Sequence, residues 1–588
     1  MHCQLEYLAD CLPVDIERAL DELPATLDET YERTLREIKG RKSEHACRLL
    51  LCVAVACRPL QVKGLAEILA FDFEGPIPVF REECRLNNPI EAVLSTCSTL
   101  LSVVKSRNSQ VVQFAHFSVK EFLTSTRFAE KGDIISRRYH ISMTPAHTAI
   151  TQACLGMLLH LNQNITRDSL TRFPFAKYAA KHWLEHARLE GVSQNAEEGM
   201  KQLFDRTKPH LSIWLWLYDP TLYPLTQRKI SEGPSPPRGT PLHYAAFCGL
   251  HDIAKTLATG YPKDVNSQSF DNSSTPLHLA SDKGLVDVAG MLVEYGADVS
   301  AQDKHKKTPL HLTSDRGHVG VARKLVELGA DMSAQDEDGK TPLHVALLRD
   351  HADVARMLVE LRADLSAQDK DGRTPLHVAS SWGRVDLARM LVQLSADVSA
   401  QDKDGRTPLY LALDSGHVEV ARMLVVELGA DVSARDKDGK TPLHLALFLD
   451  HVAVARMLVE LGADVSAQSK DGKTPLHVAS SRGHLDVARM LVELGADVSA
   501  QDKYQMTPLH LASSRGLVDV TRMLVELGAD LSAQNKGGST PLHLASSRGR
   551  VDVARMLVEL GADISAQDKD GNPAAPGVVP GSWTWPGC

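Results

Sequence analysis

The chain has 588 residues, 43 % hydrophobic and 24 % charged, with a formal charge of −9. That length exceeds one ordinary core, so several domains are expected, and so weak a charge gives no general reason to expect nucleic acid. Ten cysteines without a Cys-x-x-Cys pair argue against a disulfide framework or a zinc cluster and for a reducing, cytoplasmic compartment. The opening Met1-His2-Cys3-Gln4-Leu5-Glu6 does not read as a signal peptide, and the apolar run at 211–218 is too short to span a bilayer.

Residues 1 to about 40 read as helical, with a capped start at Leu23-Pro24-Ala25-Thr26-Leu27-Asp28-Glu29. Ala46, Leu50, Val53, Ala54 and Cys57 follow at helical spacing and predict a buried face. Arg58-Pro59-Leu60 breaks that helix, and 62–69 predicts a second. Pro89 opens a third, running to Leu100. Leu101-Ser102-Val103-Val104 and Val111-Val112-Gln113-Phe114 flank Ser106-Arg107-Asn108-Ser109, a hairpin signal. Three helices and a hairpin are the layout of a winged helix, expected over 41–130. A helical extension is expected over 131–220. A Pro-, Gly- and Ser-rich linker, 221–239, closes the N-terminal part.

From there one block recurs. Thr-Pro-Leu-His stands at Thr240, Thr275, Thr308, Thr341, Thr374, Thr407 (with Tyr410 for His), Thr441, Thr474, Thr507 and Thr540, in steps of 35, 33, 33, 33, 33, 34, 33, 33 and 33 residues. Such a period marks units that bury their apolar faces only against neighbours. In the unit at Thr374, Asp371-Gly372 supplies a tight turn, Thr374 an N-cap and Pro375 the first helical position. Leu376 and Ala379 face inward. Val385, Leu387, Ala388, Leu391 and Val392 form the stripe of a second helix. The 34-residue step carries an extra valine, Val425-Val426, to be absorbed as a bulge or a longer exit loop. The block resembles the ankyrin repeat, which implies a mainly α fold over 240–570: a solenoid of ten helix-turn-helix units with β-hairpin fingers. An eleventh finger starts at Gln567-Asp568-Lys569-Asp570-Gly571 but meets Pro573-Ala574-Ala575-Pro576, so 571–588 is expected to be a disordered or aberrant tail that leaves Leu557, Val558 and Leu560 poorly covered.

A second resemblance covers roughly residues 1–220. The Leu23–Glu32 segment, Ala115-His116-Phe117-Ser118-Val119-Lys120-Glu121-Phe122-Leu123, and Phe173-Pro174-Phe175-Ala176-Lys177-Tyr178-Ala179-Ala180-Lys181-His182-Trp183 are similar to the segment downstream of the ATPase core in fungal NACHT–ankyrin proteins of the STAND class. In that family this tract links a nucleotide switch to the repeats. The ATPase core itself is missing here. Gly339-Lys340-Thr341, Gly439-Lys440-Thr441 and Gly472-Lys473-Thr474 imitate the end of a phosphate-cradling loop, yet Ala334, Ala434 and Ala467 stand where its first glycine belongs.

No catalytic residue, cofactor or metal set is predicted. His344/His351 and His444/His451 are paired without a convergent cysteine or carboxylate, and the resemblance gives them structural roles, the first bracing adjacent repeats and the second opening the next helix. The third helix of the winged helix holds Glu91 and no Lys or Arg, which argues against duplex binding. The resemblance implies that the two residues before the inter-helix glycine face a concave groove. Along the middle repeats the pairs are Leu348/Arg349, Ser381/Trp382, Asp414/Ser415 and Phe448/Leu449, whereas elsewhere the pair is polar. Leu348, Arg349, Trp382, Phe448 and Leu449 are therefore the candidate contacts for a protein partner, in a patch of about 30 Å at helix-packing spacing. The competing reading is that Leu348, Phe448 and Leu449 only thicken inter-repeat packing. The chain is expected to be a monomeric scaffold without membrane or nucleic-acid partners, or else part of a nucleotide-driven switch. The purified chain should neither bind ATP at micromolar concentration nor hydrolyse it; magnesium-dependent turnover that survives repurification would overturn this.

Overall fold

The computed structural model describes residues 26–97, 99–106, 109–221, 233–269 and 271–575. The expectations for residues 1–25, the hairpin tip, most of the linker and the tail beyond 575 lie outside those residues. Two compact units divide within the second repeat: residues up to 280 with 287–298, and 281–286 with those from 299 onward.

In the first unit, α1 (Leu27–Glu37) starts as predicted, with the Glu29 N–H donating to Thr26 Oγ1 at 3.2 Å and Glu29 reaching back to the Thr26 N–H. α2 (Arg41–Val55) buries Ala46, Leu49, Leu50 and Ala54. It stops short of Pro59, whose ring disfavours helical geometry at the residue before it. Cys57, expected on the buried face, therefore lies beyond the helix and is exposed. β1 (Leu60–Gln61) and α3 (Val62–Ile68) follow. A small hairpin then intervenes that periodicity could not show, β2 (Phe71–Asp72) with β3 (Val79–Phe80). α4 (Pro89–Cys97) ends before the expected Leu100. The wing is β4 (Leu101–Ser106) and β5 (Ser109–Phe114), with Val103 opposite Val112. β1 adds a third strand through Leu60 opposite Val112, giving the order β1-β5-β4.

After the wing come α5 (Phe117–Thr124) and α6 (Thr126–Glu130), and the extension comprises α7 (Ile134–Tyr139), α8 (Met143–His160), α9 (Ala176–Ala187), α10 (Val192–Asn195), α11 (Glu197–Leu203) and α12 (His210–Leu217). α8 is its axis and packs against α9, burying Ile150, Ala153, Cys154, Met157 and Leu158. Trp183 and Trp214 meet edge to face at 5.3 Å, and the Trp214 indole N–H donates to the Ala180 carbonyl at 2.9 Å. The winged helix is tied in by buried Glu67, which accepts from the Phe175 N–H at 2.8 Å and pairs with Arg85 at 2.7 Å. Burial pushes the Glu67 carboxyl up to about 7 despite those partners. The extension grips the first repeat through Arg188, donating to the Cys248 carbonyl, and Arg206, 3.3 Å from Asp264.

In each repeat of the second unit the sequence logic is realised locally. Thr374 caps the first helix, Pro375–Ser381, and Leu376 and Ala379 are fully buried. Leu387, Ala388 and Leu391 of the second helix, Val385–Gln393, pack beneath them. The fingers are closed turns rather than strands among the described residues: Asp369 Oδ1 accepts from the Asp371 and Arg373 N–H groups, both at 2.9 Å. The Lys403 N–H of the next finger donates to the Asp371 carbonyl at 2.9 Å. Gly372 sits at φ 79, and a Cβ there would lie 2.8 Å from Lys403 N, so both the turn and the stacking demand glycine.

The imidazoles join the repeats. His377 Nδ1 accepts from the Thr374 N–H at 3.1 Å, so its proton sits on Nε2, which donates to the Arg406 carbonyl of the following repeat at 3.0 Å. The same bridge recurs at His311, His344, His444, His477, His510 and His543. Tyr410, in the histidine position, instead donates to Asp436 Oδ2 at 2.7 Å. The extra valine forms a π-turn at Met423–Glu427, with Val426 exposed. This is the bulge expected from the 34-residue step.

The open C-terminus expected from the broken eleventh repeat is corrected. His543 reaches the Asn572 carbonyl at 3.1 Å, and the Ala574 N–H donates to the Ala566 carbonyl at 2.9 Å. Ala574 and Ala575 are buried against Leu542, Ala545, Val553 and Leu557. Leu557 is therefore fully covered and Val558 partly, and of the three only Leu560, at 37 %, stays exposed. Residues 571–575 cap the array although they lack the repeat signature.

Two tests follow from these contacts. Burial holds His243, His311, His344, His377, His444, His477 and His510 below the ordinary histidine range. The unfolded chain thus takes up protons first as pH falls through about 6.5, and the stability held by the neutral imidazoles is complete above that value and lost below it. The melting temperature should be flat above about pH 7 and fall steeply below about pH 6; a level profile to pH 5 would refute the neutral bridge. Separately, Ala574→Glu places a charge in a closed pocket and should cost the last repeat on the order of 2 kcal/mol. Hydrogen exchange would then rise across 540–562 and stay unchanged in repeats three to six.

Candidate partner-binding surface

The candidate row lies where each first helix ends. The chain there passes through a left-handed residue, Gly383 in the fifth repeat, and in the fourth and seventh repeats Asp350 (φ 64) and Asp450 (φ 66) take that conformation instead. Aspartate tolerates it better than most side chains, and each carboxylate has a neighbour. Asp350 accepts from Arg384 at 2.7 Å, and Asp450 lies 3.3 Å from His484 Nδ1.

Two residues precede that point in each repeat, and at three joints the second of a pair reaches back to the first of the preceding pair. Arg316 Nε donates to Asp282 and Arg349 Nε to Asp315, each at 2.7 Å, and the Arg482 guanidinium lies over the Phe448 ring at 4.1 Å. These contacts show that equivalent positions of consecutive first helices form a continuous row. Arg349, expected to meet a partner, is engaged by Asp315 within the array. Leu348 and Leu449 are half-buried, whereas Trp382 and Phe448 are 51 % and 54 % exposed. Asp414 and Ser415, both exposed, separate the two aromatic residues. An exposed ion pair contributes about 0.2–1 kcal/mol and an exposed cation–π contact about 0.5–1 kcal/mol, so these links orient the row more than they stabilise it.

A second cluster, in the first unit, escaped the sequence reading. His182 and His186 stand one turn apart on α9 with Glu185 between them, and Cys57 comes from the turn after α2. His182 Nδ1 is 2.8 Å from Glu185 Oε2, and Cys57 Sγ is 3.5 Å from His186 Nε2. His186 Nδ1 meets His147 Nδ1 at 2.8 Å, its Nε2 lies 3.0 Å from the Tyr178 hydroxyl, and that hydroxyl accepts from the Cys57 N–H at 3.2 Å. Burial and the neighbouring imidazoles lower His186 to about 4. Burial raises the Glu185 carboxyl, but hydrogen bonds from His182 and Cys57 hold it below its usual range. The spacing His-x-x-Glu-His was visible in the sequence. The fourth member, more than a hundred residues away, was not.

The fold defines a helical-repeat protein with an N-terminal winged helix. The chain belongs to the ankyrin-repeat family: the family profile described as "Ankyrin repeats (3 copies)" matches residues 225–303, 300–369, 361–436, 428–502 and 497–568, together more than half of it. A profile described as "GPI inositol-deacylase, winged helix domain" matches residues 31–133. The chain is similar to the azaphilone pigments biosynthesis cluster protein L of Monascus ruber, 31 % identical over 300 residues that make up 48 % of this chain and 61 % of that protein. It is also similar to alpha-latrocrustotoxin-Lt1a of Latrodectus tredecimguttatus, 40 % identical over 62 residues, 10 % of this chain and 4 % of the toxin. The chain thus spans less than two thirds of the length of these curated relatives. Among the described residues no helix is long and apolar enough to cross a membrane.

Proposed function

We propose that the chain is a non-catalytic, cytoplasmic scaffold that holds a protein partner along the row of first-helix ends, with Trp382 as anchor. The observation that carries this reading is the exposure of Trp382 and Phe448 at positions that are polar in most other repeats. Tryptophan dominates the energetics of protein interfaces, because it buries a large rigid surface at little entropic cost. The partner would lay an apolar helix face or an extended segment over Leu348, Trp382, Phe448 and Leu449, with the Arg349–Asp315 and Arg482–Phe448 contacts presenting polar groups at its edge. The winged helix, with Glu91 and no basic residue on its third helix, serves as an intramolecular docking element.

A second reading makes the chain part of a nucleotide-driven STAND switch whose ATPase core is supplied upstream or in trans. The winged-helix match over 31–133 favours it. An in-frame glycine-rich loop followed by an acidic strand in the upstream coding sequence would establish it.

Trp382→Ala in the full chain should weaken a partner recovered with the protein by on the order of 2 kcal/mol, roughly thirtyfold in affinity, and leave the melting temperature nearly unchanged. Calorimetric titration and thermal melts decide between the readings of the row. A mutant that melts several degrees lower yet binds with unaltered affinity would show that these residues serve packing alone.

A further inference from the structure

We propose that the first unit carries a zinc-type divalent metal site formed by Cys57, His182, Glu185 and His186, which fastens the winged helix to α9. One ligand atom each from Cys57, His182 and Glu185 lies within 4.8 Å of the other two. Ligands about 2.0–2.3 Å from a tetrahedral zinc stand roughly 3.3–3.6 Å from one another. The 3.5 Å between Cys57 Sγ and His186 Nε2 falls in that range, and the 2.8 Å between His182 and Glu185 falls just short of it. Admitting an ion requires His182 Nδ1 and Glu185 to separate slightly and the 3.0 Å contact of His186 Nε2 with the Tyr178 hydroxyl to open.

The chemistry of the set points the same way. A thiolate and a carboxylate balance one divalent cation, and two neutral imidazoles complete a borderline-soft site. His147 Nδ1 sits against His186 Nδ1 as the outer hydrogen-bond partner that orients metal-binding histidines. Cys57 and Glu185 are exposed, which gives the ion a way in. Cys57 belongs to the turn leading into β1 and the other three to α9, so the bound ion would close a loop of more than a hundred residues. It would stabilise this unit in proportion to its occupancy.

The test uses the full-length chain, stripped with a chelator and titrated with zinc and, separately, with cobalt. A single equivalent of zinc should be retained after dialysis and raise the melting temperature by several degrees. Cobalt should give a thiolate charge-transfer band and intense tetrahedral absorption, both lost in Cys57→Ser and weakened in His182→Gln. Zinc should also protect Cys57 of the unmutated chain from alkylation, read residue by residue by mass spectrometry, which needs no variant to fold. Failure to retain stoichiometric metal, a cobalt spectrum unchanged in Cys57→Ser, or unprotected alkylation of Cys57 would each overturn the site.

Discussion

The imidazole at the third position of most first helices does two things at once. In the fifth repeat the His377 Nδ1 receives the Thr374 N–H, which would otherwise be unpaired, and its Nε2–H adds a second bond to the Arg406 carbonyl, which also accepts from the Asp402 N–H within its own finger. The first bond is buried and the second partly so, and losing either would cost more than a surface hydrogen bond. Because the donor belongs to one repeat and the acceptor to its successor, the bond also sets the distance and rotation between them. The finger-to-finger link from Lys403 to Asp371 repeats that constraint at a second point. Two fixed points per joint leave little freedom, and a regular stack follows.

That regularity gives the first-helix ends their meaning. When successive helices stand in one register, equivalent residues make a row, as the 2.7 Å contacts of Arg316 with Asp282 and of Arg349 with Asp315 show. Substitutions along such a row cost the core little, because the side chains point past it. The array can therefore keep one scaffold and vary its lining, and Trp382 and Phe448 are the largest such variations in the middle repeats.

Much of this was legible in the sequence because contacts in a repeat array lie within about one period of each other. The Thr-Pro-Leu-His spacing, the inward Leu376 and Ala379 and the bulge at Val425-Val426 all follow from local chemistry. What was not legible depended on partners far away or signals too small. The pairing of β1 with β5 joins residues some fifty positions apart, and β2 and β3 have two residues each. Ala574 and Ala575 cap the last repeat with no signature beyond being small and apolar. The candidate row was located from breaks in the repeat pattern, but the engagement of Arg349 by Asp315 needed three dimensions.

The π-turn at Met423–Glu427 has a consequence for how such a chain can change. One added residue would turn a helix by about 100° and advance it by 1.5 Å, enough to throw every later repeat out of phase. Here the surplus is spent within the second helix, Val426 swings outward, and Tyr410 still finds Asp436 across the joint. A second helix can thus gain a residue and hide it without disturbing the joint to the next repeat, so the array can change in length while the register of its first helices is kept.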